Sequence, residues 1–244
     1  MRLTRSHVAL PLHCDQEVTL PEESANHLLR VLRLREGDAC ILFNGDGSDY
    51  HARITLAGKR EARAAVERAE PLCSESPLSI TLIQGIARGE KMDLILQKAT
   101  ELGVAAIVPV NAERTEVKLD PARMEKRVAH WRSVVVSACE QFGRARVPTV
   151  AAPLGLQDAA QTSDPHALRL TLDPHGAHRL GTLSVATQQT VIVAIGPEGG
   201  WSPRDRATLG EAGFSGLQLG PRILRTETAG LAAIAALQSR FGDL

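Results

Sequence analysis

VIVAIGPEGGWSPRDRATLGEAGFSGLQLGPRILRTETAGLAAIAAL, residues 191–237, holds two apolar runs, Val191–Ile195 and Leu217–Leu219, and each feeds into glycines and then into a helix. The first turn is Gly196-Pro197-Glu198-Gly199-Gly200. The second is Gly220-Pro221-Arg222, followed by Ile223-Leu224-Arg225-Thr226-Glu227-Thr228. Strand ends that open into glycine-rich turns are where an α/β sheet builds its ligand crevice. Glycine lets backbone N–H and C=O groups approach a flat ligand with no side chain in the way. Two tight βα turns without a ligand would explain the glycines, but not the two arginines, the glutamate and the two threonines that follow the second turn.

Between the two runs, Ser202-Pro203-Arg204-Asp205 predicts a helix start with a capping box and proline at N1. A last helix is expected over Thr228–Arg240, apolar through Leu231, Ile234, Ala235 and Leu237, and its alanine content suits close helix packing, within the core or across a dimer. Upstream, Leu78–Ile83 and Val104–Val110 read as strands around a helix over Glu90–Leu102 closed by Gly103, which is a βαβ unit and hence a parallel sheet. Asn111–Lys118 reads as a charged loop. Asp120-Pro121 starts a long helix to about Gln141, with Met124, Val128, Trp131, Val135, Ala138 and Phe142 on its buried stripe. Leu168–Leu172 is a further strand.

Residues 1–70 have a different rhythm. Short apolar runs at Val18–Leu20, Ala39–Phe43, Ala52–Leu56 and Ala64–Val66 alternate with turn signals, of which Asn44-Gly45-Asp46-Gly47 is the strongest. Pro21–Arg33 reads as one short helix with Ala25, Leu28, Leu29 and Leu32 on one face and Arg30, Arg33 and Arg35 at its exit. Ten Lys/Arg stand against eleven Asp/Glu in this region, so any basic surface here is local. An RNA-binding β-barrel and a plain packing domain both fit. Pro71–Pro77 reads as the linker, which divides the chain into residues 1–70, 71–77 and 78–244.

The 244 residues carry no net charge, 43% apolar residues and only 3% aromatics, so the core rests on aliphatic side chains and the overall charge selects no partner. Cys14, Cys40, Cys73 and Cys139 form no metal spacing and read as reduced thiols of a cytoplasmic protein. No metal, no secretory signal and no membrane span are expected. The P-loop, the dinucleotide fingerprint, HExxH and GxSxG are all absent.

Gly85–Gly103 (GIARGEKMDLILQKATELG), Glu140-Gln141-Phe142-Gly143-Arg144, Ile195–Gly200 and Leu219–Ala229 (LGPRILRTETA) resemble, in this order, the motifs of the RsmE family, bacterial 16S rRNA (uracil-N3)-methyltransferases of the SPOUT superfamily. His27–Arg33 with Gly37-Asp38 is similar to that family's PUA-like domain. Where the family carries aromatics after its first arginines, this chain has Arg5-Ser6-His7-Val8.

The resemblance implies an α/β fold: a C-terminal SPOUT-type parallel sheet with a deep trefoil knot, plus a small N-terminal PUA-like β-barrel. It implies S-adenosyl-L-methionine as cofactor, a homodimer, and 16S rRNA of the small ribosomal subunit, in its decoding-centre region, as substrate. Carried over residue by residue, the cofactor role falls on Leu172, Gly196, Glu198, Gly199, Gly200, Leu219, Gly220, Ile223, Leu224 and Thr228. Arg225 and Arg222 are the candidates for holding charge on the uracil, and Glu227 for a base or an orienter of an arginine. Arg30, Arg33, Arg88, Lys91, Arg114 and Arg144 are the phosphate-contact candidates. A non-catalytic RNA-binding module, or a knotted methyltransferase acting on tRNA or on ribose, are the competing readings.

Overall fold

The computed structural model describes residues 3–58, 61–117, 120–161, 164, 166–186 and 188–244. These residues group into two units: residues up to Glu75 together with Val136–Val147, and Ser76–Val135 together with Pro148–Leu244.

In the first unit, β1 (Arg5–His7), β2 (Gln16–Thr19), β3 (Ala39–Phe43), β4 (Ser48–Ala57) and β5 (Ala62–Pro71) form one sheet in the order β1-β3-β4-β5-β2. The Asn44–Gly47 turn joins the antiparallel β3 and β4, with Gly45 and Gly47 at φ of 94° and 102°. Alternate residues of the strands face one core: Cys40 and Leu42, Ala52 and Ile54, Ala62, Ala64 and Val66. This is the period of two expected of a sheet with one dry face. The expected helix over Pro21–Arg33 is shorter and irregular: α1 (Glu22–Ala25) runs into a π-helical segment over Asn26–Val31. Leu28 is fully buried, but Leu32 stays 41% exposed, because the wider turn rotates it off the face that a 3.6-residue period assigns to it.

Val136–Val147 is the correction to the expected division. The end of the long helix and the loop after it belong with the first unit, where Cys139 and Ala145 pack against Phe43. A cut at 71–77 therefore strips this segment of its partners. The reason is visible in Arg5, whose guanidinium pairs with Asp49 and also donates to Arg144 O at 3.0 Å. β1, which the sequence reading missed, supplies that arginine.

The second unit is a three-layer α/β arrangement. β6 (Ile80–Gly85), α2 (Glu90–Glu101), β7 (Ala106–Asn111), α3 (Pro121–Phe142), β8 (Thr149–Val150), β9 (Leu154–Gly155), α4 (Leu156–Ala160), β10 (Leu168–Leu172), β11 (His178–Arg179), β12 (Val191–Ile195), α5 (Pro203–Glu211), β13 (Ser215–Gln218) and α6 (Thr226–Phe241) follow in the chain. The strand order is β11-β13-β10-β12-β6-β7-β8, with β9 also on β7, and every pairing is parallel. All five residues of β12 are buried, as a parallel strand covered on both faces requires. Ile192 and Ala194 face α4 and α5, whereas Ile195, Leu82 and Gln84 face Gly230 of α6.

Helix ends follow their local chemistry. Asp120 Oδ1 accepts from Arg123 N–H at 3.0 Å, the N-cap bond the sequence predicts. Ser202 and Asp205 exchange both bonds of the capping box, each at 3.0 Å. Val128, Trp131, Val135 and Ala138 of α3 are buried, while Met124 and Phe142 are only half-buried. Full burial of a side chain such as Val135 contributes about 1.5–3 kcal/mol. Lys118, the expected end of the charged loop, lies outside the described residues.

Candidate functional site

β10, β12 and β13 are neighbours in the sheet, so their carboxyl ends at Leu172, Ile195 and Gln218 open side by side. The loops that leave them enclose a cavity of about 370 Å³. Leu172, Asp173, Ala194, Ile195, Leu217 and Leu219 form its sheet side, and Gly196, Pro197, Glu198 and Gly200 one wall. Gly220, Arg222, Ile223, Leu224 and Arg225 form the opposite wall, with Thr226 and Ala229 of α6 behind. The lining is thus aliphatic with a few charged groups at the edge, the make-up of a small-molecule site.

The first wall is closely held. A Cβ on Gly85 would meet Pro197 N at 2.4 Å, so β6 and this turn touch backbone to backbone and only glycine fits. Thr226 Oγ1 donates to Gly196 O at 2.6 Å, and Trp201 Nε1 donates to Thr171 Oγ1 at 3.0 Å. Glu198 accepts from Arg88 N–H at 3.0 Å and lies 3.4 Å from Lys91 Nζ. Burial is the largest single influence on this carboxyl and opposes its charge, but backbone N–H groups, chiefly that of Arg88, and Lys91 together outweigh it and hold its pKa below the ordinary value. Arg114 donates to Gly199 O at 3.0 Å.

The second wall is open. Gly220 takes a φ of 110°, and Ile223 is 89% exposed. The side chains of Arg222 and Arg225 are exposed and have no hydrogen-bond or ion-pair partner among the described residues. Two cations at the rim of an apolar pocket, with no carboxylate holding them, are free to meet an anionic group.

The model of a family described as an RNA methyltransferase domain matches residues 74–238, and that of an RNA methyltransferase PUA domain matches residues 20–67. A ribosomal RNA small subunit methyltransferase E of Buchnera aphidicola is 31% identical over 100% of this chain and 98% of its own. The chain belongs to the RsmE family.

This RsmE-type chain also superposes on a ribosomal RNA small subunit methyltransferase E from Neisseria gonorrhoeae bound to S-adenosyl methionine. The TM-score is 0.92, with 41% identity and 100% of both chains covered. A putative methyltransferase from Legionella pneumophila in complex with the same cofactor gives 0.95, with 36% identity and again 100% of both. The two-domain plan, a PUA domain at the N-terminal side and an RNA methyltransferase domain with a parallel sheet after it, is that of the family.

Of the residues carried over as cofactor ligands, Leu172, Gly196, Glu198, Gly200, Leu219, Gly220, Ile223 and Leu224 line the cavity, and Gly199 and Thr228 do not. Gly199 faces Arg114, whose Cβ would lie 3.0 Å from an added methyl. Thr228 is exposed one residue short of Ala229. Glu227 also lies off the lining, with Oε2 buried without a hydrogen-bond partner and 3.8 Å from Lys91 Nζ. It faces a lysine, whereas the sequence reading offered it as a base or as a partner of Arg225. The sequence reading missed Thr171, Ala194, Trp201, Arg206 and Thr226. Only Thr226, inside the LRTETA motif, carried a local signal.

The basic candidates separate. Arg30 and Arg33 are exposed on the first unit. Arg88 pairs with Glu116 at 2.7 Å, and Lys91 and Arg114 hold the first wall. Arg144 is a correction. Its side chain is 8% exposed and paired with Glu75, which suits a fold-holding residue and not a phosphate contact. Among the described residues no cluster of His, Cys, Asp or Glu suits a metal ion, and no helix is long and apolar enough to cross a membrane. Cys40 and Cys139 are buried, which pushes both thiols up to about 12.

Proposed function

We propose that this chain is an S-adenosyl-L-methionine-dependent methyltransferase that modifies N3 of a uridine in 16S rRNA of the small ribosomal subunit. The observation that carries the reading is the cavity where β10, β12 and β13 end, in a chain whose structural relatives were solved with that cofactor. Its volume falls within the roughly 300–1,000 Å³ of small-ligand sites. The residues fit: the backbones of Gly196, Gly200, Leu219 and Gly220 leave room beside a flat ring, and Leu172, Ile223 and Leu224 offer it apolar faces. When bound, the cofactor supplies a methyl group on a positively charged sulfur.

The chain's own residues do the rest. Uracil N3 carries a proton at neutral pH; that proton passes to solvent water, and the electron pair it leaves on N3, with negative charge spread over the ring, forms the bond to the methyl carbon. The guanidinium groups of Arg225 and Arg222 hold that charge at O2 or O4, an interaction stronger in the transition state than before it. Glu198 is a poor base, since Arg88 N–H and Lys91 stabilise its anion. Alignment of N3 with the methyl group supplies a further share of the acceleration. The target base is taken out of its stack to reach the rim of the cavity, and Arg30 and Arg33 hold the phosphate backbone.

The reading includes a C-terminal segment threaded as a trefoil knot, a first unit closed as a barrel, and a homodimer. Two features support the knot. Gly176 and Gly216 cross with no room for a Cβ on either, the nearest backbone atoms lying 2.3 Å and 2.6 Å from the added atoms, and α6 packs behind both walls of the cavity. The bare Ile223 is the part of the lip that a second copy covers. Nucleoside mass spectrometry of 16S rRNA tests the function: a strain deleted for this chain loses N3-methyluridine and regains it on complementation. Persistence of the modification in the deletion strain would overturn the assignment.

A further inference from the structure

Gln84 is the last but one residue of β6, and none of its surface reaches solvent. It does not line the cavity. A polar side chain in so dry a place is expected to use its hydrogen bonds. Gln84 Nε2 donates to Gly85 O at 2.9 Å and to Thr226 Oγ1 at 3.0 Å. Gly85 O can only accept, so the amide has one orientation and its nitrogen must face these two groups. Thr226 Oγ1 then spends its single proton on Gly196 O, at 2.6 Å. Two of these bonds run in one direction, from the core strand through the first residue of α6 to the first residue of the cavity wall, and the third anchors the amide to Gly85 of its own strand.

Gln84 Oε1 is left with no partner in the buried interior, beside Gly230. An under-satisfied amide is costly, so packing alone does not account for a glutamine here, where methionine would fill similar space. What the amide adds is the directional link. It joins residues 84, 196 and 226, which are far apart in sequence, and two of them line the cavity.

We infer that Gln84 is a positioning residue: through Thr226 it fixes the Gly196 carbonyl and the start of α6, and so sets the affinity of the cavity for S-adenosyl-L-methionine. This deepens the proposed function and rests on it. The α6 N-terminus also carries Arg225 into the cavity rim, so the same link ties the two walls together.

Calorimetric titration of the full-length protein with S-adenosyl-L-methionine, well below each variant's melting temperature, tests the inference. Thr226→Val removes the hydroxyl at nearly constant shape and should weaken binding roughly five- to tenfold, the effect of leaving a buried group unpaired. Thr226→Ser keeps the hydroxyl and should bind within twofold of the parent. Gln84→Met never touches the ligand and should weaken binding as much as Thr226→Val. The double variant should be no worse than the weaker single one, because both break the same link.

A Gln84→Met protein that binds like the parent while Thr226→Val does not would overturn the inference, since Thr226 would then act by direct contact alone. Additive losses in the double variant would overturn it as well. Should Gln84→Met fail to fold, Gln84→Leu takes its place, and parent-like affinity in that variant, or equal affinities of Thr226→Val and Thr226→Ser, would overturn the inference. If the parent itself shows no binding, the proposed function fails, an outcome distinct from variants that match a binding parent.

Discussion

Glu198, in the first glycine turn, takes a backbone hydrogen bond from Arg88 and faces Lys91, whereas Arg222 and Arg225, in the second, have no side-chain partner among the described residues. Both turns follow a parallel strand and both begin with a Gly-Pro pair, yet one is tied to β6, α6 and Arg114 and the other is left open. The held turn forms a fixed surface for a ligand of constant shape. The open turn leaves two cations exposed, and the proposed function uses them for charge that grows on the substrate base during the reaction. On the proposed function, preorganisation of the first kind should govern affinity and charge of the second kind should govern rate.

Arg225→Ala is the largest break of this contrast. On the open side it should cut kcat about 10²–10³-fold, the usual loss for one charge-stabilising donor, with cofactor affinity almost unchanged. Arg225→Lys should retain part of the rate, since the charge stays but the planar fork does not. Single-turnover rates at saturating RNA check this, and an unchanged rate for the alanine variant would remove Arg225 from the reaction.

Gly85→Ala attacks the held side. The added methyl meets Pro197 N at 2.4 Å, so β6 or the first turn must shift, at about 1–3 kcal/mol for an overpacked site. Thermal melts should fall and cofactor affinity should fall with them. An alanine variant as stable as the parent would mean that the turn yields freely.

Lys91→Met should have a smaller effect, because the lysine is 40% exposed and such pairs contribute about 0.2–1 kcal/mol. Cofactor Kd should rise no more than about fivefold, and the difference from the parent should shrink at high salt. Calorimetry at two ionic strengths measures both parts.

The pH response is the smallest effect. The folded-state pKa of Glu198 is lowered, so its stabilising contribution is fully present above the ordinary glutamate value of about 4.3. That contribution is lost as pH falls through the lowered value. Melting temperatures of the parent and of Glu198→Gln should therefore differ at neutral pH and converge in acid. A gap that widens on acidification would mean the pKa is raised instead.

Much of this site was legible before the fold was known. Val191–Ile195, with five apolar residues and then Gly196-Pro197, reads as a buried strand ending in a turn from composition alone, and Ser202–Asp205 reads as a capping box from spacing alone. Arg222 and Arg225 stood out because nothing local required them. Thr171 and Gln84 gave no such signal, since a threonine or glutamine inside an apolar strand looks the same whether its side chain meets a ligand wall or a lipid-like core. Arg144 misled for a similar reason. An arginine after a helix-ending glycine suggests an exposed cation, but Glu75 and Arg5 are distant in sequence and only folding brings them to it.

The sequence by itself determined the elements with local causes: strand and helix periods, caps at Asp120 and Ser202, the Asn44–Gly47 turn, and, through motifs spread along the chain, the family. Tertiary structure alone decided which strand ends lie side by side, which glycine turn is held and which is open, and that Val136–Val147 joins the first unit. The physical reason is range. Periodicity and capping act over a few residues of chain, whereas the links from Gln84 to Thr226 and from Arg5 to Arg144 span 142 and 139 positions. Such pairs exist only once the burial of many other side chains has brought donor and acceptor atoms within about 3 Å of each other.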